Sequence, residues 1–335
     1  MTIKKENCWE FFKCGREQGG VNAKADGVCP ATSQSIFNEF NQGTNSGRAC
    51  WLVAGTFCNK IAQGTFAQKK KNCMDCEFYK KVHLEEGIST LKTDFADIFG
   101  YTHIGNIRKS NEDRYFLRKH GTDSLLIAIA DGMGGEVAGD FAAETTTGEL
   151  SSFGRIEKGK EEESLCKFVK KIDHNIFEMG ELDSGLEGMG TTLIILFIRD
   201  GVAYWVHVGD SRLFFFRNNK MTPMTEDQNF ARFLLEEGEI TPEEFQTHPS
   251  KNLLDQSLGC GFVEPETGSI KLRKSDLLIL TTDGLHDYML NKEIEILLKK
   301  RKHIKDGAKK LVNAALKAGG GDNITIVITE ITKTL

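Results

Sequence analysis

The chain has 335 residues, more than one domain usually holds, with 39% hydrophobic and 27% charged residues, the balance of a globular protein and not of a disordered one. Its formal net charge of -5 speaks against a nucleic-acid partner, and its longest apolar runs, Leu125–Ala130 and Leu193–Ile198, fall far short of the roughly 20 residues of a membrane-spanning helix. The N-terminus carries no apolar run of the kind that directs secretion, so the expectation is a cytoplasmic monomer without a nucleic-acid or membrane partner.

Cysteine comes first along the chain. Seven of the nine cysteines lie between Cys8 and Cys76, and in a reducing compartment these are thiols or metal ligands in preference to disulfides. Their pattern is doubled. Cys8-Trp9, Cys14 and Cys29 are echoed by Cys50-Trp51, Cys58 and Cys73, with 15 residues between Cys14 and Cys29 and again between Cys58 and Cys73. Cys76 then closes a C-x-x-C. So many thiols in a short segment favour a soft metal, either structural zinc or an iron–sulfur cluster held by four of them. The alternative is a set of buried or redox-active free thiols. Glu77 after Cys76 argues against covalent haem, and the Trp after each first Cys reads as packing. Residues 1–85 are thus expected to form a small cysteine-rich domain, 86–94 a linker and 95–335 a second domain.

Beyond the linker, short β-rich runs are predicted at Leu125–Ala130, Thr191–Ile198, Val202–Val208, Arg212–Arg217, Ile270–Leu272, Leu277–Thr281 and Ile324–Thr329. Tight-turn signals at Arg199-Asp200-Gly201 and Gly209-Asp210-Ser211 predict that Thr191–Ile198, Val202–Val208 and Arg212–Arg217 form an antiparallel meander. Leu165, Phe168, Val169, Ile172 and Ile176 make one helical stripe; Asn291 is placed to cap a second helix, and Ala308, Leu311, Val312 and Ala315 mark a third. The class is α+β, a sandwich of antiparallel sheets with helices outside.

Acidic residues recur at the ends of these runs. Glu112 and Asp113 precede an apolar stretch, Asp131-Gly132 follows Leu125–Ala130, Asp210 sits in a turn, Asp283-Gly284 follows Leu277–Thr282, and Asp322-Asn323 stands before the last strand. Any one of these is an ordinary turn residue. Together they would gather carboxylates that repel unless cations lie between them, and hard oxygen ligands suit Mg²⁺ or Mn²⁺ better than zinc.

In order along the chain, IRKSNEDR (107–114), IADGMGGEVAGDFAAE (129–144), GMGTTLIIL (188–196), HVGDSRLF (207–214), LLILTTDGLHDYM (277–289) and GGGDNITIVI (319–328) resemble the PPM-type, or protein phosphatase 2C-like, serine/threonine phosphatases. The resemblance implies a four-layer sandwich of two antiparallel sheets flanked by helices. It also implies hydrolysis of phosphoserine and phosphothreonine in proteins by water activated between two Mn²⁺ or Mg²⁺ ions, with a third ion in some bacterial members. Carried over, Asp131 bridges the metals, the Gly132 carbonyl, Asp283 and Asp322 complete the direct set, and Asp210 serves the third ion. Glu112 and Asp113 hold metal-bound water, Arg108 grips the phosphate, and Asn323 orients water. Met133 departs from members that carry a histidine acid there, which leaves the general acid open; His103, His207, His248 and His286 are expected in turns, core or surface. Met221–Gly261 corresponds to the variable flap beside the site. The leader resembles the small two-CW domain that precedes signalling modules in anaerobic bacteria, which implies a regulatory role without a defined ligand.

Two other readings stay open: a phosphatase dedicated to one regulatory protein, of the anti-sigma-factor-antagonist kind, and a metal- or redox-sensing module whose phosphatase part only docks.

Overall fold

The computed structural model describes residues 5–333 except 36, 39, 59–60, 64–68, 70–71, 74, 136–137 and 246–247. Its principal strands, in chain order, are β1 (Ile88–Lys92), β2 (Ala96–His103), β3 (Asp113–Lys119), β4 (Ser124–Met133), β5 (Leu193–Arg199), β6 (Val202–Val208), β7 (Arg212–Arg217), β8 (Lys220–Pro223), β9 (Glu266–Lys271), β10 (Leu277–Thr281) and β11 (Ile324–Ile331). The principal helices are α1 (Glu77–Glu86), α2 (Ala138–Glu149), α3 (Glu161–Leu182), α4 (Asn291–Lys299) and α5 (Ile304–Lys317).

These principal strands form two sheets, each antiparallel throughout. One runs β8-β7-β10-β11-β2-β1 and the other β9-β6-β5-β4-β3, with the short strand Gly190–Thr191 added beside the end of β4. The continuous apolar run of β4 follows from its place in the stack. Leu125, Ile127 and Ile129 enter the core between the sheets, where Leu196, Leu213, Leu280 and Val327 meet them. Leu126, Ala128 and Ala130 face the helix layer with Phe141, Leu165 and Val169. A strand covered on both faces has no polar alternation to show, and each fully buried Leu or Ile side chain contributes roughly 1.5–3 kcal/mol. On the far side, Ile294, Leu298, Leu311 and Val312 of α4 and α5 pack on Phe214, Ile279 and Ile326. This is the expected four-layer α+β sandwich. Among the described residues, no helix is long and apolar enough to cross a membrane.

Three local expectations are corrected. The segment 86–94 is not a free linker. After Gly87 it holds β1, which pairs with β2 from Ile88↔Tyr101 to Lys92↔Asp97 and forms the edge of the first sheet. The predicted meander breaks after two strands: β5 and β6 pair, but β7 crosses to the other sheet between β8 and β10. The crossing occurs at Gly209, whose φ of +107° suits glycine and whose added Cβ would lie 2.7 Å from Thr192. Asn291 is the first residue of α4, not its cap; the free N–H of Leu290 is met instead by Glu293 Oε2 at 2.9 Å.

The leader packs on the helix layer rather than hanging from it. Phe37, Trp51, Leu52, Phe78 and Val82 belong to the same apolar cluster as Leu126, Phe141 and Leu165. A Cβ on Gly148 of α2 would lie 3.0 Å from the Phe37 ring, so the bare glycine surface is what lets the leader approach.

Candidate active site

Strand ends from both sheets carry the acidic residues to one edge of the sandwich. Asp113 and Asp131 face each other in register across β3 and β4. Asp283 opens a short helix, Asp283–His286, just after β10, and Asp322 stands one residue short of β11, the strand hydrogen-bonded to β10. Asp210 lies at the crossing from one sheet to the other. Glycines make the close approach possible. A Cβ on Gly132 would fall 2.1 Å from the Gly139 carbonyl oxygen, one on Gly284 1.9 Å from the Asn323 carbonyl oxygen, and one on Gly139 2.4 Å from Glu112 Oε2.

Hydrogen bonds then fix the carboxylates and the turns that bear them. Thr282 Oγ1 donates to Asp113 Oδ2 at 2.8 Å, and the backbone N–H of Thr325 donates to that same hydroxyl at 3.0 Å. Thr191 Oγ1 and the Thr192 N–H both donate to the Asp131 carbonyl, at 2.8 and 2.9 Å. Asn323, expected to orient water, also ties backbone together. Its Oδ1 accepts the Glu112 N–H at 2.8 Å and its Nδ2 donates to the Ile104 and Ser110 carbonyls at 2.9 Å, so both donors hold the Glu112 loop. Arg108 Nη2 is 2.7 Å from Asp322 Oδ2 with its side chain about half exposed, at 49%.

The electrostatics are those of a crowded acidic site. Burial, then the neighbouring carboxylates Asp113, Asp283, Asp210 and Asp322, push Asp131 well above the usual carboxylate range. Burial followed by Asp210 and Asp322 does the same to Asp283. Asp113 is pushed up to about 7, chiefly by burial, and Asp210 also to about 7, by burial and then by Asp227 and Asp287. Asp113 Oδ1 and Asp283 Oδ1 are buried and accept no hydrogen bond. Oxygens left in that state cost free energy unless something positive meets them. Hard divalent cations fit this all-oxygen donor set.

Asp227, Asp287 and Thr282 were missed by the sequence reading. Asp227 receives a bidentate ion pair from Arg212 at 2.7 and 2.6 Å, a contact visible only once β7 has changed sheets. Thr282 had a signal, its place directly before Asp283. The four histidines keep local partners: His103 accepts the Gly105 N–H, His207 pairs with Glu266, His248 accepts the Ser250 N–H and His286 bonds Thr281. The flap carries a helix at Phe230–Glu236, capped by Asn229 Oδ1 accepting the Arg232 N–H at 3.0 Å.

In the leader, Cys8 and Cys50 each begin a short helical turn. The Cys8 thiol beside it and then burial push Cys50 well above its usual value, burial takes Cys58 to about 11, and burial raises Cys76. Cys14, Cys29 and Cys73 stand elsewhere in the same segment, Cys29 and Cys73 buried. Among the described residues, the one grouping of three side chains at metal-ligand spacing is His83, Asp140 and Glu144, not a set of thiols. The Trp pattern is packing: Trp51 is buried, edge-on to Tyr79 with ring centroids 4.9 Å apart.

Two facing antiparallel sheets whose adjoining strand ends crowd carboxylates beside an exposed arginine define a metal-dependent hydrolase of phosphate esters. The chain belongs to the protein phosphatase 2C family, whose description, "Protein phosphatase 2C", matches residues 99–318, and it is a serine/threonine protein phosphatase acting on phosphorylated proteins. It is 33% identical over 235 residues to the serine/threonine phosphatase Stp of Listeria welshimeri, covering 68% of this chain and 93% of that protein. The Streptococcus agalactiae serine/threonine phosphatase structure superposes with a TM-score of 0.67 at 32% identity, over 70% of this chain and 99% of that one. The catalytic domain of the phosphatase PstP, solved in complex with two manganese ions, gives a TM-score of 0.64 at 31% identity, over 71% and 99% of the two chains. The family match begins at residue 99, beyond the leader.

Proposed function

We propose that the acidic edge is the catalytic centre, with Asp131, the Gly132 carbonyl, Asp283 and Asp322 holding two Mn²⁺ or Mg²⁺ ions and Asp210 a third, more weakly held one. The observation that carries this is the pair of buried, hydrogen-bond-free oxygens, Asp113 Oδ1 and Asp283 Oδ1, within a set of carboxylates that raise one another's pKa. When bound, divalent ions acidify water and neutralise charge on phosphoryl oxygens. Glu112 and Asp113 would accept hydrogen bonds from water held there. Thr282 keeps Asp113 in one orientation, and Asn323 keeps the Glu112 loop against the cleft. Arg108 leaves Asp322 for the substrate phosphate, which its planar fork grips at two oxygens. With Met133 where some members have histidine, that position supplies no proton to the leaving serine or threonine oxygen. The protein acts as a cytoplasmic monomer, and the leader, residues 1–85, is a regulatory module.

The decisive experiment is hydrolysis of a phosphothreonine peptide by the full chain, with manganese and then with excess chelator. Turnover with the metal and none with the chelator is expected; equal rates would overturn the assignment. For the leader, we propose a soft metal or cluster held by four of its seven thiols, with Cys8, Cys50, Cys58 and Cys76 the first to test. Cys14, Cys29 and Cys73 are the remaining candidates. Metal analysis and the absorption spectrum of anaerobically purified protein test this, and protein free of zinc and iron would leave the thiols structural.

A further inference from the structure

The leader touches the sandwich through one polar cluster as well as through apolar packing. Asp140 and Glu144 of α2 are almost completely buried, and two carboxylates so placed need cationic or hydrogen-bonding partners. Arg114, at the start of β3, supplies the charge: its Nη2 pairs with Asp140 Oδ1 and lies 3.8 Å from Glu144 Oε2. From the leader, Tyr79 of α1 donates its hydroxyl to Asp140 Oδ2, and His83 Nε2 lies 2.7 Å from Arg114 Nη2 and 3.7 Å from Glu144 Oε1. The guanidinium occupies the centre of this group, which is why His83, Asp140 and Glu144, although at ligand spacing, read as an arginine clamp and not as a cation site.

The other end of that guanidinium reaches the active site. Arg114 Nη1 donates to the carbonyls of Asn111 and Asp113, at 2.7 and 2.8 Å. It therefore pinches together the backbone on either side of Glu112. Asp140 follows Gly139, the residue whose carbonyl abuts Gly132 and whose Cα leaves room for Glu112 Oε2. A cavity of about 50 Å³ lies at this junction, lined by Val82, His83, Asn111, Asp113, Arg114 and Glu144 among others. Leader and acidic site thus share a wall.

We propose that Tyr79 and His83 are positioning residues for the metal site: through Arg114 and Asp140, the leader helix holds the Asn111–Asp113 turn and the Gly132–Gly139 contact in place beside the carboxylates. Neither residue touches substrate. This inference rests on the acidic edge being the catalytic centre. It predicts that the leader sets the affinity for metal by ordering the carboxylates before the ion arrives, a saving in ordering cost at the moment of binding.

The test uses the full chain with Tyr79→Phe, which removes one hydroxyl and keeps the ring, His83→Gln, and Arg114→Lys, which keeps the charge and loses the fork. In metal-free protein, amide hydrogen exchange of the Asn111–Arg114 segment should quicken several-fold in Tyr79→Phe and more in Arg114→Lys, while exchange in Ile326–Ile328 stays unchanged. Calorimetric titration with manganese should show an affinity lower by roughly threefold to tenfold, the factor expected when part of one hydrogen bond to a charged group is transmitted. Parental exchange and manganese affinity in both Tyr79→Phe and His83→Gln would overturn the proposal, as would a parental Arg114→Lys. If the parent proved not to hydrolyse phosphopeptides, the functional reading would fail while the exchange data still decided the clamp.

Discussion

Carboxylates buried side by side make a metal-free protein carry an electrostatic cost, and pH should reveal it. Asp113 and Asp210 are both raised to about 7, above the ordinary value of about 4. The folded state therefore holds these protons more tightly than the unfolded chain, so the stability they lend is complete below about pH 4 and is lost as pH rises through about 7. Thermal unfolding of metal-free protein should occur at lower temperature at pH 8 than at pH 5, with a smaller difference in Asp113→Asn and with manganese present. For the same reason Asp131→Asn and Asp283→Asn should raise the melting temperature of metal-free protein at pH 8. Both should lower turnover roughly 10³-fold or more, because a lost metal charge removes several kcal/mol of transition-state stabilisation. Near-parental turnover in either variant would remove that residue from the metal set. At this scale the sequence showed the aspartates, because each stands beside a strand and a glycine. It could not show that Asn323 spends both amide donors on backbone carbonyls, because Ile104 and Ser110 lie more than 200 residues away.

Elements obey a coarser grammar. The turn at Arg199-Asp200-Gly201 makes β5 and β6 neighbours, and that much was legible. The turn at Gly209 was equally tight, yet its strand leaves for the opposite sheet, since a short connection sets direction but not destination. Gly209→Val should therefore destabilise by about 1–3 kcal/mol, through a strained positive φ and a clash with Thr192. The measurement is the shift in urea midpoint, and an unchanged midpoint would show that the crossing tolerates a side chain. β1 was illegible for a different reason. Its residues alternate between exposed and half-buried, with Leu91 reaching the core between the sheets, so an edge strand of this kind carries almost no apolar signal.

For the whole molecule, the shared apolar cluster of leader and helix layer predicts one cooperative unfolding event. In Trp205→Phe the remaining tryptophans, Trp9 and Trp51, report only on the leader. Their fluorescence midpoint in urea should coincide with the midpoint by circular dichroism, and a lower fluorescence midpoint would mean the leader melts alone. Cysteine density marked the leader off in the sequence, but its docking was not readable there, because Gly148 and Phe37 meet across more than 100 residues of chain. The strand order has a consequence for synthesis. The second sheet is built entirely from residues 113–271, whereas β2 waits for β11, which follows all of these along the chain. On the ribosome, where a protein appears N-terminus first, the second sheet and its leader-covered helices can assemble while the first sheet still lacks a central strand. The acidic edge draws Asp283 and Asp322 from that later sheet, so it is completed only after every strand of the second sheet has been made.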